Sequence, residues 1–222
     1  MQFYLLDKTP TGSNETARTD ALTADDTTLG DAPRCEACGK YIGLRVWLPP
    51  YRVELDTWGR EYGDLAFLNV GSDILVSQRF IDFWEREGLV GLGSFEPVEV
   101  VKVRRHRALR GNPPRFFKSC VALSRAVVDN VASGVELDEP PTCPVCQLGN
   151  GIKRWKAIII KTETWSGEDI FRPRWAGGFF VSSRFKALSE LNKIKNAVFV
   201  PAEEYAHDYY PWEKQADAPG SC

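Results

Sequence analysis

Histidine is nearly absent from this chain. His106 and His207 are the only two, one in a basic stretch and one in an acidic, aromatic tail, and they do not make a proton relay. The sequence also lacks a Gly-x-Ser-x-Gly elbow, a P-loop, a His-Glu-x-x-His pair and the Rossmann glycine pattern. The run Gly88-Leu89-Val90-Gly91-Leu92-Gly93 is rich in glycine but follows a helical segment. A phosphate cradle instead follows a strand and opens a helix. The adjacent acidic pairs Glu168-Asp169 and Glu203-Glu204 read as charge on exposed loops. No catalytic residue is assigned, and an enzyme is not expected. Apolar runs such as 157–160 are of strand length and too short to cross a bilayer as helices. The opening Met1-Gln2-Phe3-Tyr4-Leu5-Leu6-Asp7 is too short for a signal-peptide core and has no basic leader. Net charge is only −2, which leaves no overall field to attract nucleic acid or an anionic membrane. A cytoplasmic protein with no membrane partner is expected.

Core material and cysteine, by contrast, are present. The 222 residues are 43% hydrophobic and include seven Trp, enough for one large domain or two small ones that share a core. Of six cysteines, four form two Cys-x-x-Cys stretches, Cys35-Glu36-Ala37-Cys38-Gly39 and Cys143-Pro144-Val145-Cys146. Two residues between thiolates let both sulfurs face one centre, and two such knuckles supply the four ligands of a closed structural zinc site. Cys35, Cys38, Cys143 and Cys146 are the candidate metal ligands, with Zn²⁺ as the expected structural cofactor. The compact form of this pattern has roughly 15–20 residues between pairs, whereas about a hundred separate them here. Reduced thiols without metal, disulfides and a redox Cys-x-x-Cys therefore stay open. A thioredoxin-like motif sits at a strand-to-helix junction, but Cys35 follows a polar loop and Lys40-Tyr41-Ile42-Gly43 does not continue as an amphipathic helix. Cys120 reads as a small buried hydrophobe, and terminal Cys222 has no assigned role.

Along the chain, residues 1–6 read as a strand and 7–34, devoid of aromatics and rich in Thr, Asp and Ala, as a long solvated loop. Residues 44–55 read as two extended pieces broken at Pro49-Pro50, forming an edge or a bend. Short strands are expected at 65–70 and 74–76. Residues 77–88 give the clearest helix, with Ser77 as N-cap, Phe80, Ile81 and Trp84 at helical spacing, and Gly88 as the stop. Strands are expected at 95–103, 116–123, 155–161 and 179–181, and a loop at 164–174. Residues 124–137 fit either a helix or short extended segments. Between 102 and 118 lie Lys102, Arg104, Arg105, His106, Arg107, Arg110, Arg115 and Lys118 with no acidic residue. This stretch reads as charge protecting a strand edge and loop, and as a possible phosphate track for a nucleic-acid binder. The tail residues Tyr205, Asp208, Tyr209, Tyr210 and Trp212 are candidate partner contacts, because aromatics not needed in a core serve as interface anchors.

The two parts of the chain resemble each other in order. Val76-Ser77 and Arg79-Phe80 match Val181-Ser182 and Arg184-Phe185, Phe95-Glu96-Pro97 matches Phe199-Val200-Pro201, and each copy follows a Cys-x-x-Cys. The expected architecture is α+β, with two weakly repeated strand-helix-strand halves, 1–105 and 106–222, joined at a shared pair of zinc knuckles into one compact, monomeric unit. Arg79 and Arg184, early in their helices, read as surface or salt-bridge residues.

The two knuckles, the segment Gly167-Glu168-Asp169-Ile170-Phe171-Arg172 and the run Phe179-Phe180-Val181-Ser182-Ser183-Arg184-Phe185 resemble the double-CXXCG motif proteins known largely from myxobacteria. That family includes immunity proteins encoded beside polymorphic toxins. The likeness extends from Cys35 to Tyr205, with the Cys pairs and the Asp-Ile-Phe-Arg segment its distinctive parts. Gln147 stands where the family has glycine after the second knuckle, which affects a turn and not a ligand. The resemblance implies a bacterial immunity protein that binds one cognate toxin domain and blocks its active or substrate-binding surface. A zinc-ribbon-like nucleic-acid binder and a Cys-x-x-Cys thiol oxidoreductase are the alternatives.

Overall fold

Residues 30 apart in sequence and residues 180 apart are hydrogen-bonded as strand neighbours throughout this protein, and the pairing pattern explains the architecture. The computed structural model describes residues 1–10, 17–25, 28–69, 72–105, 111–146 and 151–209. In chain order the described elements begin with strands β1 (Phe3–Asp7), β2 (Arg18–Thr23), β3 (Arg52–Trp58), β4 (Leu65–Leu68) and β5 (Asp73–Ser77), then helix α1 (Gln78–Arg86). Strands β6 (Glu96–Pro97), β7 (Glu99–Arg105), β8 (Phe116–Cys120), β9 (Leu123–Val127), β10 (Glu136–Leu137), β11 (Ile152–Trp155), β12 (Ile170–Arg174) and β13 (Phe179–Ser182) follow. Helix α2 (Ser183–Leu191), β14 (Val198–Pro201) and β15 (His207–Asp208) end the described chain.

The strands form three sheets, ordered β14-β1-β13-β12-β9, β10-β11-β15 and β6-β8-β5-β4-β2-β3-β7. The expected α+β class with strand-helix-strand halves is therefore incorrect: the protein is mostly β, with two nine-residue helices among the described residues. The sequence hid strands in segments that looked like loops. In β2, Thr19 and Ala21 point inward and are buried without any aromatic side chain, and the strand lies between β3 and β4. In β12, Ile170 and Phe171 are fully buried where a loop is expected. The reverse error occurs at 155–161. There Trp155 ends β11, and beyond it the backbone bonds in turn to Ser133, Ala202, Asp129 and Val127 instead of running along one partner.

The seven-stranded sheet is curled. Its two edge strands, β6 and β7, are separated by a single residue, Val98, yet pair with β8 and β3 at opposite ends of the order. A flat sheet of seven strands would put those edges about 30 Å apart, so the sheet must bend until they meet. Val53, Leu55, Ala66, Leu75 and Phe116 fill the inside of the curl with Trp47.

A repeat does exist, but in strand order. From one edge, β14-β1-β13-β12-β9 and β6-β8-β5-β4-β2 share the same sequence of pairings, three antiparallel and then one parallel. Register is shared too: Ser77 faces Phe116 as Ser182 faces Phe3, and Val76 faces Leu65 as Val181 faces Ile170. The N-terminal β1 sits among the late strands, while β8 sits among the early ones. The two sheets are thus laced through each other. Between them lies the largest core, where Ile74, Val76, Phe80 and Trp84 meet Ile170, Val181 and Phe185. Equivalent residues Phe80 and Phe185 touch, with ring centroids 6.3 Å apart.

Each helix begins at a serine N-cap, Ser77 accepting from Phe80 N–H and Ser182 from Phe185 N–H. Each serine also donates to a buried aspartate in the preceding hairpin, Asp64 at 2.9 Å and Asp169 at 2.8 Å. Those aspartates receive Arg79 and Arg184, respectively. The arginines then cross over. Arg79 donates to the carbonyls of Asn192 and Lys193 at the end of α2, and Arg184 to those of Glu87 and Gly88 at the end of α1. Each helix end, with its unpaired carbonyls, is therefore closed by a cation held at the start of the other helix. The salt-bridge reading of both arginines is right, and the structure adds their reciprocity.

Candidate metal centre

The first knuckle is a tight hairpin. Arg34 and Tyr41 bridge across it, Cys35 N–H donates to Lys40 O, and Gly39 N–H donates back to Cys35 O, each at 2.8 Å. Gly39 takes φ 72°, which glycine adopts without the penalty a side chain would bring. In the second knuckle residues 144–146 form a turn, and the Cys146 carbonyl accepts from Trp175 Nε1 at 2.6 Å. Lys40 Nζ donates to Thr142 Oγ1 at 2.9 Å and joins the two knuckles directly. Ile42 packs on the sulfurs.

All four cysteines predicted as ligands converge. Their sulfurs lie within 4.8 Å of one another, with Cys35 to Cys143 at 4.0 Å and Cys38 to Cys146 at 3.6 Å. Each close pair draws one sulfur from each knuckle. With a metal–sulfur distance of about 2.3 Å, a regular tetrahedron places its sulfurs about 3.8 Å apart, so the donor set fits one tetrahedral ion after a small contraction. None of these cysteines is in a disulfide, and the separations are about twice a disulfide bond. Cys35, Cys143 and Cys146 are buried and Cys38 is at the surface.

Electrostatics favour a cation at the centre. The backbone N–H groups of Cys146 and Val145 pull the Cys143 thiol down to about 6. The N–H of Cys38, with that of Ala37, lowers Cys35 in the same way. At Cys38 the N–H of Lys40 favours the thiolate, but desolvation and the sulfurs of Cys146, Cys143 and Cys35 outweigh it and push the thiol up to about 12. Without a cation, neighbouring thiolates repel and the last proton is held tightly. An ion at the centre removes that repulsion, and its binding releases the proton.

The other predicted sites fare differently. Tyr205 packs on Trp155 at 5.9 Å, Asp208 lies 3.6 Å from Arg154, and Tyr209 meets Trp155 edge-on while staying half exposed. These three fold back against β11. Tyr210 and Trp212 lie outside the described residues. Of the basic stretch, Lys102 and Arg104 pair with Glu54 on the neighbouring β3, and Lys118 is buried beside Asp73. His106, Arg107 and Arg110 lie outside the described residues. Asp169, read from sequence as exposed loop charge, is instead buried in the helix bracket. Its signal was the spacing from Asp169 to Ser182 and Arg184, which Asp64, Ser77 and Arg79 reproduce. No helix among the described residues is long and apolar enough to cross a membrane. No family model matches the chain, and no curated protein matches it.

Proposed function

We propose that Cys35, Cys38, Cys143 and Cys146 hold one Zn²⁺ as a closed structural site in a non-enzymatic immunity protein. It would act in the cytoplasm by binding a cognate bacterial toxin and covering its active or substrate-binding surface. The observation that carries the metal assignment is the meeting of four sulfurs from knuckles 108 residues apart. A four-thiolate set suits zinc, and reduced cysteines suit a reducing compartment. Support for the immunity role comes from the sequence: the paired knuckles, the Asp169-Ile170-Phe171-Arg172 segment and the Val181-Ser182-Ser183-Arg184-Phe185 run resemble the double-CXXCG proteins. The fold adds a consistent physical picture, since a closed four-sulfur site has no open position for a substrate.

The alternatives have less behind them. A thiol oxidoreductase needs an accessible cysteine with a lowered pKa. Here the lowered thiols, Cys35 and Cys143, are buried, and the accessible Cys38 is raised. A nucleic-acid binder needs free cations, whereas Lys102, Arg104 and Lys118 are already paired. The test is co-expression of the chain with the product of its neighbouring gene. A stable complex that suppresses that product's toxicity is the expected result. A neighbour that is not toxic, or one that forms no complex, would overturn the immunity reading.

A further inference from the structure

Trp175 carries two features that the fold and the four ligands leave unused. Its backbone has φ 73°, in the left-handed region that a bulky side chain enters at a cost. Glycine sits there freely, and Gly177 and Gly178 lie just beyond, ahead of β13. The chain nevertheless turns on a tryptophan. The indole Nε1–H of that tryptophan donates to the Cys146 carbonyl at 2.6 Å. The reach of the indole, rather than the turn, accounts for this residue type at this place.

The two knuckles are braced differently. The first closes on itself: Cys35 N–H donates to Lys40 O, Gly39 N–H to Cys35 O, and Arg34 Nη1 to Gly39 O at 3.3 Å. Gly39, directly after Cys38, takes the positive φ of that turn. Directly after Cys146 stands Gln147, which lacks the freedom of glycine. Trp175 braces this second knuckle from outside. Its own place is fixed in the five-stranded sheet, because Val128 N–H donates to Arg174 O at 3.3 Å and Ala176 packs on the core of Trp155, Phe171 and Phe180. The hydrogen bond therefore sets the peptide that follows Cys146 relative to that sheet. Trp175 and Ile42 also border a cavity of about 230 Å³ that reaches Cys35 and Cys146.

We propose that Trp175 is a positioning residue of the metal centre, holding Cys146 where it can act as a ligand. This role rests on the metal reading above. Groups that orient metal ligands from behind typically change metal affinity by about 10–100-fold when removed. The ion and the indole hold the same stretch of backbone, so each strengthens the other's hold by the same factor. Phenylalanine at 175 keeps a ring beside the cavity and lacks the N–H, which isolates the hydrogen bond.

Zinc transfer from the full-length, zinc-loaded protein to a chromogenic chelator gives affinity and release rate, and thermal melting is recorded with and without zinc. Trp175→Phe is expected to carry about one zinc per chain, to bind it about tenfold more weakly and to release it faster than wild type. Its melting temperature should fall further in the zinc-loaded form than in the metal-free form, which a bond serving the turn alone would not produce. Should that variant fail to fold, hydrogen exchange of the Trp175 indole N–H in wild type, followed by NMR, is expected to slow about tenfold on adding zinc. Wild type that takes up no zinc would overturn the metal reading and this role with it. In zinc-bearing wild type, the role alone is overturned by unchanged affinity and release in a folded Trp175→Phe, by equal melting losses in the two forms, or by indole exchange indifferent to zinc.

Discussion

Replacing Asp169 by alanine tests the crossed helix brackets. Its carboxylate is 3% exposed and accepts from Ser182 Oγ at 2.8 Å, Arg184 Nη1 at 2.8 Å and Val90 N–H at 3.1 Å. Hydrogen bonds to a charged group contribute about 1.5–3 kcal/mol each when one buried partner is removed. The Arg184 share must be reduced, because that side chain is 52% exposed and water replaces much of what it loses. Ser182 still caps α2, so the helix start survives. Together these give a loss of about 3 kcal/mol, or roughly 6–12 °C in melting temperature for a chain of this size. Arg184→Ala should cost less, about 1–2 kcal/mol, since Asp169 keeps two donors. A double-mutant cycle should then show coupling of about 1 kcal/mol between the two. Urea unfolding of Asp169→Ala, Arg184→Ala and the double variant supplies all three numbers. Asp64→Ala should match Asp169→Ala within about 1 kcal/mol, because the bracket is built the same way on both sides. A loss below about 1 kcal/mol, or strictly additive single changes, would refute the bracket as a source of stability.

Other consequences are local. Gly91 has φ 117°, and a Cβ there would lie 1.9 Å from Ile170 O, so Gly91→Ala should cost about 3 kcal/mol or more by thermal melting. Lys118 is 7% exposed and faces Asp73, which is fully buried, so Lys118→Met strands that carboxylate and should cost about 3–5 kcal/mol in urea unfolding. The Tyr51 hydroxyl, followed by Lys118, holds the Glu96 carboxyl below its usual range. The stability Glu96 provides is therefore present above its unfolded pKa and lost as pH falls through the lower, folded value. Glu96→Gln should accordingly lose less stability than wild type between about pH 5 and pH 3, and identical acid limbs would contradict this. Asp73 has the opposite sign, raised mainly by burial, and is common to both proteins.

How much of this is legible in the sequence follows from the range of each signal. Helix α1 was legible because its N-cap, apolar spacing and stop all lie within a dozen residues, at Ser77, Phe80, Ile81, Trp84 and Gly88. The four ligands were legible because cysteine is rare and its paired spacing specific. The fold class was not legible, since strands such as β2 and β12 are defined by partners far along the chain. Thr19 and Asp20 carry no mark of lying inside a sheet. The similarity around Ser77 and Ser182 was a real signal of shared local structure. It did not reveal that β1 and β8 exchange sheets, because strand order leaves no local trace.

The proposed metal tie between the two knuckles, held by the four converging sulfurs, is open to direct measurement. Its most direct test is metal content measured together with melting temperature, on wild type and on Cys143→Ser, both purified without chelator. Wild type is expected to carry about one zinc per chain, with a lower content and a lower melting temperature in the variant. Metal-free wild-type protein that melts at the same temperature with and without added zinc would contradict it.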